Sequence, residues 1–298
     1  MKIIQCVPNF SEGRDLEKVE AIVSVLKNKP GFKLINYEPD PNYNRTVVTL
    51  IGEPKPIMNA IVEMVGKTTE LIDLNHHSGE HPRMGAMDVI PFVPIRNIKM
   101  KECIELAKQL GQIINEKYQI PIFLYEEAAT NPERINLADI RKGEFEKMPS
   151  KLAQPNWKPD FGEAKIHPTA GVTAIGARVL LIAFNINLDT NKIEIANEIA
   201  KAIRHSNGGF RYIKAKGASL TDKGIVQVTM NITNYQKTSI YRVYETVKME
   251  AKRYGVTVLG SEIIGLVPLE ALVDTSCYYL GLTEFDHKRI LETHLLEK

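Results

Sequence analysis

The chain has 298 residues, enough for two hydrophobic cores, and its 44% hydrophobic and 25% charged content is that of a globular protein, not a disordered or fibrous one. Lysine and arginine (38) nearly balance aspartate and glutamate (36) and are scattered, so no basic stripe marks a nucleic-acid surface. Cys6, Cys103 and Cys277 are too few and too far apart for a disulfide framework, no apolar run approaches the roughly 20 residues that span a bilayer, and Pro8 and Asn9 arrive before a signal peptide could develop; a cytoplasmic protein without membrane contact is expected.

Hydrophobic periodicity predicts, in chain order, a strand over 2–7, a helix over 16–27, strands over 33–37 and 46–51, a helix over 56–67 and a strand over 87–93. That order, strand-helix-strand-strand-helix-strand, is a split βαβ or ferredoxin-like unit. Helices over 101–118 and 136–145 decorate it. The same order returns later, with a strand over 178–188, a helix over 193–204, strands over 211–216 and 225–232, a helix over 239–253 and a strand over 256–264. Helices over 269–280 and 284–296 close the chain. The expected fold is α/β (α+β) with two ferredoxin-like subdomains, 1–177 and 178–298. The Pro- and Gly-rich stretch 148–173, which holds the only tryptophan, Trp157, is the expected linker, and long irregular segments of this kind are often functional.

Three of the seven histidines fall within six positions, in Asn75-His76-His77-Ser78-Gly79-Glu80-His81-Pro82-Arg83-Met84-Gly85. His77 to His81 spells H-x-x-E-H, an inverted zinc-peptidase signature, whose chemistry needs a helix to set both imidazoles on one face. Gly79 and Pro82 disfavour that helix, so a loop without metal is expected. In a loop, a carboxylate such as Glu80 raises an imidazole pKa while a guanidinium such as Arg83 and burial lower it, which suits His81 to general acid-base work; a histidine that only hydrogen-bonds its loop fits the same residues. Glu38-Pro39-Asp40-Pro41-Asn42-Tyr43-Asn44-Arg45 reads either as a solvated turn or as a carboxylate and an arginine fork at a strand end, able to grip the charged groups of an amino acid. After the first strand, Asn9 offers an amide and Ser11 a helix cap. Gly162, Gly171 and Gly176 do not form a dinucleotide fingerprint.

Several of these blocks together resemble the glutamate formimidoyltransferase (formiminotransferase) family: residues 6–13 (CVPNFSEG), Asn44-Arg45-Thr46-Val47, Gly79-Glu80-His81-Pro82-Arg83-Met84-Gly85-Ala86, Asp160-Phe161-Gly162, Gly176-Ala177-Arg178, Ala183-Phe184-Asn185-Ile186-Asn187-Leu188 and Gly265-Leu266-Val267-Pro268-Leu269. The resemblance covers essentially the whole chain. It implies two subdomains around a substrate tunnel, His81 as the catalytic histidine, and a folate-contacting stretch Gly162-Glu163-Ala164-Lys165-Ile166-His167-Pro168-Thr169-Ala170-Gly171. It further implies transfer of a formimidoyl group from N-formimidoyl-L-glutamate to tetrahydrofolate, as in histidine degradation, with tetrahydrofolate as co-substrate and no metal. A homodimer is implied, and, because animal members continue into a cyclodeaminase domain, any cyclodeaminase here would be a separate protein. Glu38, Arg45, Arg83, Asn9, Asn44 and Glu262 are the candidate substrate-binding residues. Glu38 stands where animal members carry Asp, and Glu262 where they carry Gln. A charge at Glu262 near the donor's carboxylates would be unfavourable, which keeps formyl transfer, from formylglutamate or 5-formyltetrahydrofolate, as the alternative chemistry. A folate-binding module without turnover and a zinc hydrolase are the competing classes.

Overall fold

The computed structural model describes residues 1–296; the last two residues of the expected second subdomain lie outside the described residues. The chain divides into two units, Met1–Val179 and Leu180–Lys298.

In the first unit, β1 (Ile3–Cys6) and β2 (Asn9–Phe10) share one position in the sheet, interrupted at Val7 and Pro8, where proline has no N–H to give to a ladder. Helix α1 (Leu16–Ser24) follows, then β3 (Phe32–Asp40), β4 (Arg45–Gly52), α2 (Pro54–Leu71) and β5 (Met87–Arg96). β5, β1 with β2, β4 and β3 lie side by side in that order and pair antiparallel, the ferredoxin-like arrangement expected from the order of elements. Helix α3 (Met100–Tyr118) then crosses to β6 (Ile122–Glu126), and β7 (Thr173–Ala177) later inserts between β5 and β6, parallel to both. Neither β6 nor β7 is among the predicted strands. Ile122 to Tyr125 and all of β7 are buried on both faces, so no alternation marks them.

Successive residues of these parallel strands feed two cores. Ile90, Phe92, Ile122, Leu124, Ile175 and Ala177 join the large core, while Val89, Phe123, Tyr125 and Ala174 point the other way into a smaller one. The smaller core is closed by α4 (Leu137–Arg141) and α5 (Glu144–Leu152) through Ile140, Met148 and Leu152. The single helix predicted over 136–145 is therefore two, broken at Gly143, whose φ of +93° is left-handed. α5 also runs into the expected linker, through Pro149, because Phe145, Met148 and Leu152 recur at helical spacing and bury one face. Lys151 Nζ caps the end of α4 by donating to the carbonyls of Asp139, Ile140 (2.7 Å) and Lys142 (3.2 Å), and lies 3.9 Å from the centre of the Trp157 ring. Burial pushes the Lys151 pKa down to about 8.

The second unit runs β8 (Ile182–Leu188), α6 (Ile193–Ile203), β9 (Ile213–Leu220), β10 (Ile225–Ile232), α7 (Ile240–Arg253) and β11 (Val258–Ile264), with an antiparallel sheet ordered β11-β8-β10-β9. Alternate residues of β8, from Ile182 to Leu188, are buried in a separate core with α6 and α7. The strand predicted from 178 begins four residues later, and Arg178 belongs to the first unit. α8 (Leu269–Leu280) matches its predicted span. Over 284–296, in place of the predicted helix, there is a short turn at His287–Arg289, capped by Asp286, and a four-residue α9 (Thr293–Leu296). Glu284 takes a left-handed φ of 57°, which a continuing helix would forbid.

Candidate active site

Four segments of the first unit converge: the 9–13 strand end, the 41–45 turn, the 77–86 loop and the 167–171 turn. Asn44, in left-handed conformation at φ 48°, joins three of them. Its Oδ1 accepts from Gly13 N at 3.0 Å, its Nδ2 donates to the Ser78 carbonyl at 2.9 Å, and its own carbonyl accepts from His77 Nε2 at 2.9 Å. Glu80 N donates to the Asn42 carbonyl at 3.2 Å. At the other end of the loop, Met84 N donates to buried Asp88 Oδ1 at 2.8 Å, and Asp88 Oδ2 accepts the guanidinium of Arg141. Ser11 Oγ donates to the Gly85 carbonyl at 2.8 Å, so Ser11 is a buried strut and not the cap of α1; Asp15 is that cap. Ala86 N donates to the Ala170 carbonyl, and Val172 N to that of Met84, which ties the 167–171 turn to the histidine loop.

Residues 77–86 contain no helix, so His77 and His81 do not share a helical face as a zinc-peptidase site requires. Among the described residues no group of three or more His, Cys, Asp or Glu is gathered as for a metal ion. His81 is half-buried and meets Tyr43 edge to face, with ring centroids 6.2 Å apart.

Arg83, a candidate substrate-binding residue, is engaged by groups of the protein itself. Its five N–H groups match five contacts: Nε to His77 Nδ1 (3.2 Å), Nη1 to Glu144 Oε2 (3.1 Å) and Glu146 Oε2 (2.8 Å), Nη2 to Glu146 Oε1 (2.6 Å) and the His77 carbonyl (3.1 Å). With its donors filled, Arg83 is an internal brace. The carboxylate of Glu146 raises the guanidinium's pKa, and Arg83 in return lowers that of Glu146. Burial lowers the pKa of His77, which also faces Arg83.

Arg45 differs. Its Nε is buried without a hydrogen-bond partner, its guanidinium lies 5.6 Å from the Tyr43 ring centre, and burial followed by the nearby Arg141 lowers its pKa. Asn9 Nδ2 donates to the Val7 carbonyl at 3.0 Å, while both ends of the Asn44 amide join loops. Glu38 is an exposed residue of β3 beside Asn36, inside the strand and not in the turn. Glu262 lies in the second unit, where its Oε1 accepts from Asn185 Nδ2 (3.2 Å) and Gln227 Nε2 (2.8 Å).

The stretch 162–171 begins exposed and ends as a tight turn. His167 and Gly171 exchange two backbone hydrogen bonds of 3.0 Å, and His167 Nδ1 accepts from Ala170 N at 3.0 Å. Thr169 and Pro168 carbonyls accept from Leu74 N and Asn75 Nδ2, each at 2.9 Å. Its entry is fixed by the buried pair Arg134 and Asp160, 2.8 Å apart. Glu144, Glu146, Asp88, Arg141 and Arg134 escape sequence reasoning, because each meets its partner across at least 26 residues and no local pattern marks it.

Two α/β units of one strand order, the first gathering polar loops around a histidine, define a bipartite α/β protein. Residues 3–178 match the model of the formiminotransferase domain's N-terminal subdomain, and residues 183–294 match that of the formiminotransferase domain. The chain is 54% identical over 296 residues to a glutamate formimidoyltransferase of Streptococcus pyogenes serotype M1, covering 99% of each chain. It is 46% identical to a glutamate formimidoyltransferase of Thermoplasma acidophilum, covering 98% of this chain and 97% of the relative. A formimidoyltransferase-cyclodeaminase of Dictyostelium discoideum is 42% identical over 94% of this chain, which spans only 53% of that relative. The chain belongs to the formiminotransferase family and is a transferase.

Proposed function

We propose that the protein transfers the formimidoyl group of N-formimidoyl-L-glutamate to tetrahydrofolate, giving 5-formimidoyltetrahydrofolate and L-glutamate. The supporting observation is the convergence of three segments, 9–13, 41–45 and 167–171, on the loop that carries His81, each fixed to it by side chain or backbone. In the proposed reaction the N5 amine of tetrahydrofolate attacks the amidine carbon, forming a tetrahedral intermediate. His81 takes the proton that N5 loses and returns it to the departing amine of glutamate as the C–N bond breaks, an effect worth about 10²- to 10⁴-fold. Positioning of the two substrates supplies the rest of the rate enhancement, and no metal enters the scheme.

Arg45 is the better of the two arginines for the donor's carboxylates, since its Nε has no partner while Arg83 is filled by Glu146, Glu144 and His77. The turn at 167–171, hydrogen-bonded to the histidine loop, and the exposed 162–165 segment before it form the proposed folate contact. A homodimer and a cytoplasmic location belong to the same proposal; among the described residues no helix is long and apolar enough to cross a membrane.

The test is steady-state turnover of purified protein with tetrahydrofolate and formimidoylglutamate, followed by release of glutamate, beside formylglutamate and 5-formyltetrahydrofolate as donors. Formimidoylglutamate is expected to give the highest kcat/KM. A preference for a formyl donor would replace this substrate assignment, and absence of transfer from all three would end it.

A further inference from the structure

The brace at Arg83 links residues that no part of the proposed reaction yet uses. Glu146 is on the first turn of α5, with a side chain about 60% exposed at the edge of a surface recess of about 500 Å³, whereas the Arg83 side chain it grips is only 8% exposed. The two carboxylate oxygens take Nη1 and Nη2 in parallel at 2.8 and 2.6 Å, a bidentate pairing that fixes the plane of the guanidinium. In that plane Nε points at His77 Nδ1.

An arginine Nε always donates, so Nδ1 of His77 is the acceptor nitrogen and the imidazole proton sits on Nε2. Nε2–H then donates to the carbonyl of Asn44, the residue that also holds Ser78 and Gly13. Reversing the tautomer would break both ends at once: N–H would face N–H at Arg83, and a lone pair would face the Asn44 oxygen. The chain of contacts thus runs from an exposed carboxylate on α5 to the turn carrying Tyr43, whose ring stands against His81.

We infer that Glu146 is a positioning residue for His81, acting through Arg83 and His77 by holding His77 in its Nε2–H form and so fixing the histidine loop on the 41–45 turn. Glu146 touches neither substrate nor reacting atom in this scheme. The inference rests on His81 being the acid-base group.

The experiment compares wild type, Glu146→Gln, Glu146→Asp and His81→Ala by steady-state kinetics and by ¹⁵N NMR of the imidazoles. Because Glu144 still pairs with Arg83 and the Gln amide oxygen keeps an acceptor for it, the Gln variant is expected to stay folded, its melting temperature only a few degrees below wild type. A displaced catalytic group is felt in the transition state, so kcat of Glu146→Gln should fall roughly ten- to hundredfold, with KM for either substrate within about twofold. Glu146→Asp should recover most of the rate. His77 should show one Nε2–H tautomer in wild type and a mixture in Glu146→Gln.

Wild-type kcat in Glu146→Gln, or a single unchanged His77 tautomer in that variant, overturns the inference. If instead His81→Ala turns over like wild type, it is the acid-base assignment of His81 that fails. The His77 spectrum still decides whether Glu146 sets the tautomer.

Discussion

Gly79 lies so close to Tyr43 that a Cβ on it would stand 2.4 Å from the Tyr43 carbonyl oxygen and 2.8 Å from the Asn44 Cβ. Gly79→Ala must push the histidine loop off the 41–45 turn. The loop is exposed at this point, so stability should fall by only about 1 kcal/mol, while activity falls roughly ten- to hundredfold through misplacement of His81. Thermal melting beside steady-state kinetics checks this; an Ala variant with full activity would show that the close approach does not matter to turnover.

His81→Asn removes the proposed proton carrier and keeps a polar side chain of similar reach. Turnover should drop by about 10²- to 10⁴-fold while the dissociation constant for tetrahydrofolate stays near wild type. Single-turnover kinetics and a fluorescence titration with the folate measure the two separately.

Much of this was legible in the sequence. The order of elements predicts both ferredoxin-like sheets, and β10 and α8 occupy the predicted spans residue for residue, because their amphipathic patterns end at turn residues on both sides. The histidine cluster and the Gly79 loop were also readable, since proline and glycine exclude the helix that the zinc signature needs. The parallel strands β6 and β7 were not, being buried on both faces and so without alternation. The protein partners of Arg83 and Asn44 were not legible either. A polar residue in a motif looks available for substrate until its partners are known, and Glu146 is 63 positions from Arg83.

Asp88 carries the other end of the histidine loop. It is 1% exposed, is paired with Arg141, and holds Met84 N. Asp88→Asn keeps an acceptor for Met84 but leaves the Arg141 charge in a largely buried position without its partner. A loss of about 3–5 kcal/mol is expected in urea unfolding. A loss below about 1 kcal/mol would mean that water reaches Arg141 and solvates it.

Arg45→Lys retains charge but loses the planar fork. If Arg45 grips a donor carboxylate, KM for the glutamate-based donor should rise about ten- to hundredfold, the equivalent of one charge-assisted hydrogen bond, with KM for tetrahydrofolate unchanged. Equal rises in both would point to a general disturbance of the 41–45 turn.

His77 and His167 both have pKa values lowered from 6.5, chiefly by burial. A base whose folded pKa is depressed takes its proton more readily when unfolded, so stability falls as the pH drops from about 6.5 through the folded values and is level above. Protonation of His77 Nδ1 also removes the acceptor of Arg83 Nε. Denaturant midpoints measured from about pH 8 to pH 5 should decline below about 6.5, and His77→Gln should flatten part of that decline.

The insertion of β7 between β5 and β6 makes the first unit's sheet depend on a segment late in that unit. Without Thr173–Ala177, the edges of β5 and β6 that face β7 would have no ladder partner. The segment that fills this gap is led by 162–171, where the Ala170 carbonyl accepts from Ala86 N, and by Val172, whose N–H donates to the Met84 carbonyl. The strand that closes the sheet and the turn that docks on the histidine loop thus belong to one continuous segment. A chain cut before Thr173 would carry His81 on a loop with no floor and, beside it, two open strand edges prone to pair with another molecule.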